Sequence, residues 1–135
     1  NCHATNGGLA YVDMGGLSFN FQKSPVTNCN AIKKGGAIYL EDGGVFVGGM
    51  EAVYCTADYG GGICIDGGRC RIERCSFKNC HARKKGNAVY TKGDKVTLEA
   101  CSYIDCNEPG ENGVKSAVFI EEQNIESVAN NFKGE

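Results

Sequence analysis

The sequence predicts an all-β fold, a parallel β-solenoid of about five coils of 25–27 residues each. Three observations predict it. Cys2, Cys29, Cys55, Cys80 and Cys106 follow one another at steps of 27, 26, 25 and 26 residues, a self-similarity at solenoid period. Each cysteine is followed by a glycine-rich turn and a short apolar run, which reads as a strand. No copy carries a helix-period apolar pattern long enough to compete.

The unit is clearest from Cys29 to Gly44, CNAIKKGGAIYLEDGG. Two places after the opening cysteine stand Ala4, Ala31, Ala57 and Ala82, with Glu108 in the divergent fifth copy. The turns come next as Gly7-Gly8, Gly35-Gly36 and Gly60-Gly61, degrading to Gly86-Asn87 and Lys115-Ser116. The runs that follow are LAYV from Leu9, AIYL from Ala37, GICI from Gly62, AVYT from Ala88 and AVFI from Ala117. A second strand precedes the next cysteine, as in RIERCSFKNC from Arg71, where Ile72, Cys75 and Phe77 alternate with polar residues across a kink at Arg74. Such short strands close no globular unit alone, but they stack as coils about 4.8 Å apart.

The segments TNCNAIKKGGAIY from Thr27 and CSFKNCHARKKGNAVY from Cys75 resemble the Phe-x-Asn-Asn-x-Ala and Gly-Gly-Ala-Ile repeats of right-handed parallel β-helix proteins. Among these is the polymorphic outer-membrane-protein type of bacterial surface adhesin. The resemblance implies a right-handed winding and a surface role. Cysteine replaces the second asparagine at Cys29 and Cys80, and the chain lacks the barrel-forming C-terminal segment of autotransported adhesins.

At 135 residues the chain reads as one domain, 1–135, with its 20 glycines locked to the repeat as turns. It opens in mid-repeat at Asn1 with no polar cap, while 121–135 is polar enough to serve as a modest C-terminal cap. A segment of a longer or polymeric assembly is therefore expected. The net charge of -2, with signs mixed throughout, points to neither nucleic acid nor an anionic membrane as partner. No run has the length of a membrane-spanning helix. The basic cluster Arg83, Lys84, Lys85 reads as a solvated turn.

Five of the nine cysteines, Cys2, Cys29, Cys55, Cys80 and Cys106, form the expected structural ladder. Cys75 and Cys101 form a second column, in which Ser24 and Met50 occupy the earlier copies. Vertical neighbours lie within disulfide reach, yet free cysteine equally suits a buried apolar ladder. Zinc is the lesser reading, because strand alternation separates the ligand candidates Cys75, Cys80, Cys101, Cys106 and His81, and no Cys-x-x-Cys occurs. An odd count leaves one thiol over, and Cys64 and Cys70 stand outside both columns as candidates for an intermolecular bridge. Bridges would mean an oxidising compartment.

Alternation within AIYL puts Ile38 and Leu40 on one face and Ala37 and Tyr39 on the other. The aliphatic columns, from Ala10 and Val12 upward, are placed inside. The opposite columns, with Ala37, Ala88, Ala117 and Tyr11, Tyr39, Tyr90, Phe119, would then form an outward lateral contact strip of small and aromatic residues. The competing reading stacks the tyrosines inside.

Parallel β-helices include polysaccharide lyases and hydrolases, so paired carboxylates matter. Asp66, Glu41, Asp42 and Asp94 read as ordinary turn residues, and His3 and His81 as stacked neighbours of the ladder. No nucleophile triad, P-loop or calcium nonapeptide is present, and the threonines form no ice-binding array. No enzyme activity, cofactor or metal is expected. The expected role is an extracellular or cell-surface structural and adhesive module, joined end to end or laterally to copies of itself or to other β-helix segments. A carbohydrate-binding or polysaccharide-cleaving β-helix is the alternative.

Overall fold

The computed structural model describes residues 2–20, 25–67, 69–91, 95–104, 106, 118–120, 125–128 and 131–133. The strands wind in sequence: β1 (Cys2–Asn6), β2 (Ala10–Asn20), β3 (Pro25–Thr27); then β4 (Cys29–Lys34), β5 (Ile38–Gly48), β6 (Glu51–Val53). They continue as β7 (Thr56–Tyr59), β8 (Ile63–Ile65), β9 (Arg69–Glu73), β10 (Ser76–Lys78), and β11 (His81–Lys85), β12 (Val89–Thr91), β13 (Lys95–Glu99), β14 (Ser102–Ile104). Last come β15 (Val118–Ile120), β16 (Ile125–Val128) and β17 (Asn131–Lys133). About three turns are wound in full between Cys29 and Cys106, fewer than the five or so that the period predicts, and flanking strands extend the pairing on either side.

The described strands pair in parallel along three faces. One face stacks β1-β4-β7-β11, a second β3-β6-β10-β14-β17, and the third carries β2, β5, β8, β9, β12, β13, β15 and β16. Strands β16 and β17, from the expected cap at 121–135, pair with β13 and β14 and so prolong the same ladders. Residues one repeat apart are vertical neighbours: Cys2 pairs with Cys29, and Ile38 with Ala10 below and Ile63 above.

Three rows of left-handed residues turn the corners. Gly7, Gly35, Gly60 and Gly86 turn the first; Gly49, Arg74 and Ala100 the second; Asn28, Tyr54 and Asn79 the third. At each corner the ladder continues unbroken. The N–H of Gly35 donates to Tyr59, that of Arg74 to Glu99 and that of Tyr54 to Lys78, at 2.9, 2.9 and 3.0 Å. The N–H groups at these bends are thus satisfied by the next winding.

The bore is filled by like above like. Ile38, Ile63 and Val89 form one buried column, and Val12, Leu40, Ile65 and Thr91 another. Phe77 stacks flat on Tyr103, with centroids 5.4 Å apart and planes 5° from parallel. Met50, Cys75 and Cys101 follow the second corner, and Cys29, Cys55, Cys80 and Cys106 the third, all buried. Each such side chain contributes roughly 1.5–3 kcal/mol of apolar burial when large.

Ala37 and Ala88 are corrections to the expected outward strip: both are fully buried and belong to the main core. The N–H groups of Ala37 and Ile38 both donate to Gly62 O, at 2.8 and 3.1 Å, and those of Gly62 and Ile63 both donate to Ala88 O. Two donors sharing one acceptor mark a bulge. Alternation therefore begins at Ile38, and the residue before it turns inward too.

Candidate functional site

Four described members of the expected ladder, Cys29, Cys55, Cys80 and Cys106, line one edge of the bore, while the Cys2 side chain lies outside the described residues. Their thiols reach the carbonyl oxygens of the winding below: Cys55 to Val26 at 3.6 Å, Cys80 to Ala52 at 3.6 Å and Cys106 to Phe77 at 3.3 Å. The second column repeats the device, with Cys75 reaching Val47 and Cys101 reaching Ile72, each at 3.6 Å. Hydrogen bonds to Cys106 and Cys55, then burial, hold the Cys80 thiol well above its ordinary pKa; Cys101 and burial do the same for Cys75. The eight cysteines whose side chains are described are free thiols.

Cys64 and Cys70 are buried at 0% and 5% exposure, so neither is placed to bridge to another molecule. Cys70 is buried in the core, in register with Val45 on one side and Val96 on the other, and burial pushes its thiol up to about 12. Cys64 sits in the tyrosine column, between Tyr39 and Tyr90.

That column does point away from the bore, but it is not an open strip. Tyr39 and Tyr90 are only 4% and 6% exposed and form with Cys64 a second, separate apolar cluster. Tyr59, at the end of β7, packs over it with its ring 5.2 Å from that of Tyr90. Tyr11 remains exposed, edge-on to Tyr39 at 5.1 Å, and its hydroxyl donates to Glu41 at 2.9 Å. Ala117 and the Phe119 side chain lie outside the described residues.

Polar groups gather around this layer. The carboxylate of Asp66 accepts at Oδ2 from both the Lys34 ammonium and the Tyr39 hydroxyl, the latter at 2.6 Å. Lys34 also lies over the Tyr39 ring, and Lys84 over that of Tyr59. Burial works against the Lys34 charge, but Asp66 outweighs it and raises the ammonium pKa. Burial and the bond to Asp66 push the Tyr39 phenol up, so it stays neutral. Lys34, Tyr59, Asp66, Lys85 and Tyr90 together line a notch of about 300 Å3.

A larger groove of about 680 Å3 runs over the first face, between His3, Thr5, Asn30, Ile32, Asp58 and Arg83. Its shape comes from chain length. Four residues separate Cys2 from Gly7 and Cys55 from Gly60, whereas five separate Cys29 from Gly35 and Cys80 from Gly86. The extra residue breaks the register within β4 and β11, as a bulge. Arg83 spans the irregularity, donating to Asp58 at 2.6 Å and to the carbonyls of Ala31 and Ile32 at 3.0 and 2.7 Å. The cluster read as a solvated turn thus includes an arginine that straps three windings together.

Tyr59, Lys34 and Arg83 are the side chains whose roles sequence reasoning missed. The alternating cysteine-to-glycine spacing was the signal that locates Arg83. Among the described residues no group of three or more His, Cys, Asp or Glu side chains is placed to hold a metal ion, and no helix is long and apolar enough to cross a membrane. No protein-family model, curated protein or solved structure matches the chain.

Proposed function

We propose that the chain is a shape-holding module of an extracellular or cell-surface assembly, built to join copies of itself or other β-solenoid segments. The observation that carries this reading is the parallel ladder, which continues through the corners and is interrupted along the strands only by local bulges. A winding of this kind presents its neighbour with a complete row of backbone donors and acceptors, and a second chain can take the neighbour's place. The resemblance to surface-adhesin repeats supports the same role. So do the cleft carboxylates, since Asp58 is held by Arg83 and Asp66 by Lys34, which favours a binding or structural duty over hydrolysis.

Light scattering across a concentration series, with electron microscopy of the same samples, tests this reading. Growth of rods or fibres with a width of one solenoid is expected. A monodisperse monomer at the highest attainable concentration overturns it.

A further inference from the structure

The two cysteine columns of the bore differ in a way that bears on their chemistry. In the corner column Cys80 hydrogen-bonds thiol to thiol with both Cys106 and Cys55, so a bridge to one competes with a bridge to the other. In the second column Cys75 meets only Cys101 in this way. Met50 occupies the place below Cys75, one residue ahead of the paired Glu51 and Ser76, and no cysteine follows Cys106 in the chain to compete from above. The two strands are in register, since Ser76 pairs with Ser102 and the Ser102 N–H donates to the Cys75 carbonyl at 2.9 Å. Their thiols are turned alike, each toward a carbonyl of the winding below, Val47 or Ile72, at 3.6 Å. Parallel strands in register hold such residues about 4.8 Å apart, inside the Cα range of roughly 4.4–6.8 Å over which a disulfide closes. Cys70 is in register with Val45 and Val96 and acts on Cys101 only through its charge.

We propose that Cys75 and Cys101 are a redox staple, closed by exchange with a small-molecule disulfide such as oxidised glutathione, that clamps the winding of β10 to that of β14. The structure shows the reduced form. The thiolate of one cysteine bonds to one sulfur of the small disulfide and expels the other as a thiolate. The second cysteine then attacks the protein sulfur of this mixed disulfide and expels the remaining small thiolate. Each leaving thiolate takes up the proton that a cysteine gave up, so the two protein thiols lose two electrons and the small disulfide gains them. Both sulfurs are buried, at 2% and 0% exposure, so the exchange takes place while β14 docks on β10, and the finished bore then shields the bridge from reductant.

Refolding of the reduced chain in a glutathione redox buffer, followed by alkylation and mass spectrometry of unreduced tryptic peptides, tests the proposal. Trypsin parts Cys70, Cys75 and Cys80 into the peptides 70–71, 75–78 and 79–83, and leaves Cys101 with Cys106 in 96–115, where fragmentation tells them apart. The dominant bridge is expected to join Cys75 to Cys101 and to disappear on reduction with dithiothreitol. The oxidised chain should unfold at a higher urea concentration than the reduced one, with an unfolding equilibrium constant smaller by on the order of a hundred-fold. Cys106→Ala should keep the bridge, and Cys75→Ala should lose the gain in stability on oxidation. No bridge, a dominant bridge through Cys70, Cys80 or Cys106, or an oxidised chain no more stable than the reduced one overturns the proposal, and the unsubstituted chain decides these three outcomes by itself. A folded Cys106→Ala variant without the bridge, or a folded Cys75→Ala variant with the full gain, overturns it as well.

Discussion

The first corner of each winding and the other two bend by the same backbone device, yet they accept different residues. Gly35 turns at φ 63°, and Tyr54, Arg74 and Ala100 turn at 56°, 52° and 52°. A side chain at Gly35 would put its Cβ 2.1 Å from the Ile38 carbonyl oxygen, whereas Tyr54 and Arg74 project into solvent. The left-handed conformation by itself therefore does not impose glycine here; contact with the following strand does. Gly36 obeys a third rule. Its Cβ would lie 2.0 Å from the carbonyl oxygen of Gly61 in the next winding, so its lack of a side chain sets the spacing between coils. In the fourth winding Asn87 takes that place, buried, its amide accepting from Ala82 N–H at 2.8 Å and donating to the Cys106 carbonyl at 2.6 Å.

The largest effect expected from this contrast is at Gly36. Gly36→Ala forces two windings apart and should cost more than about 3 kcal/mol in urea unfolding, enough to abolish folding of a marginal domain. A loss below about 1 kcal/mol would show that the corner yields and that close approach is not the constraint.

Next is the alkaline limit. The folded-state pKa of Cys70 is raised from 9.0 to about 12 by burial, so the folded protein keeps a proton that the unfolded chain releases. Stability is then fully present below pH 9.0 and falls as pH rises toward about 12, by on the order of 4 kcal/mol from this thiol. Cys70→Val keeps a buried apolar side chain at this position and should flatten the slope of unfolding free energy against pH in that window. An unchanged slope would place the alkaline sensitivity in the corner cysteines instead.

The smallest effect has the opposite sign. Ala100→Gly and Arg74→Gly relieve a left-handed residue at a corner, the second at the loss only of an exposed ion pair from Arg74 to Glu73 at 3.5 Å, and each should stabilise by about 1 kcal/mol in thermal unfolding. Should both destabilise, the second corner relies on its side chains and the contrast with Gly35 dissolves.

The stacking of residues one repeat apart was legible in the sequence, because five cysteines and three glycine pairs mark the same phase of each winding. The aliphatic columns from Val12 and Ile38 followed from alternation, and the kink at Arg74 from its interruption. Two features were not legible. Nothing in the propensities of tyrosine, arginine or alanine announces a left-handed corner, since the surrounding ladder overrides their preference at Tyr54, Arg74 and Ala100. Nor does alternation reveal cover: it places Tyr39 and Tyr90 outside the bore correctly, but the residues that shield them, Tyr59 and Lys34, belong to another face. The notch was invisible for the same reason, its lining being brought together by winding rather than by sequence proximity.

The alternation of four and five residues between cysteine and glycine means that the natural unit of growth is two windings, not one. A tandem duplication of a single coil would set a long step beside a long step or a short beside a short, and Arg83 would no longer find Asp58 beneath it and the freed carbonyls one level lower. Lengthening this rod, whether by recombination or by design, should therefore succeed in even increments and falter in odd ones.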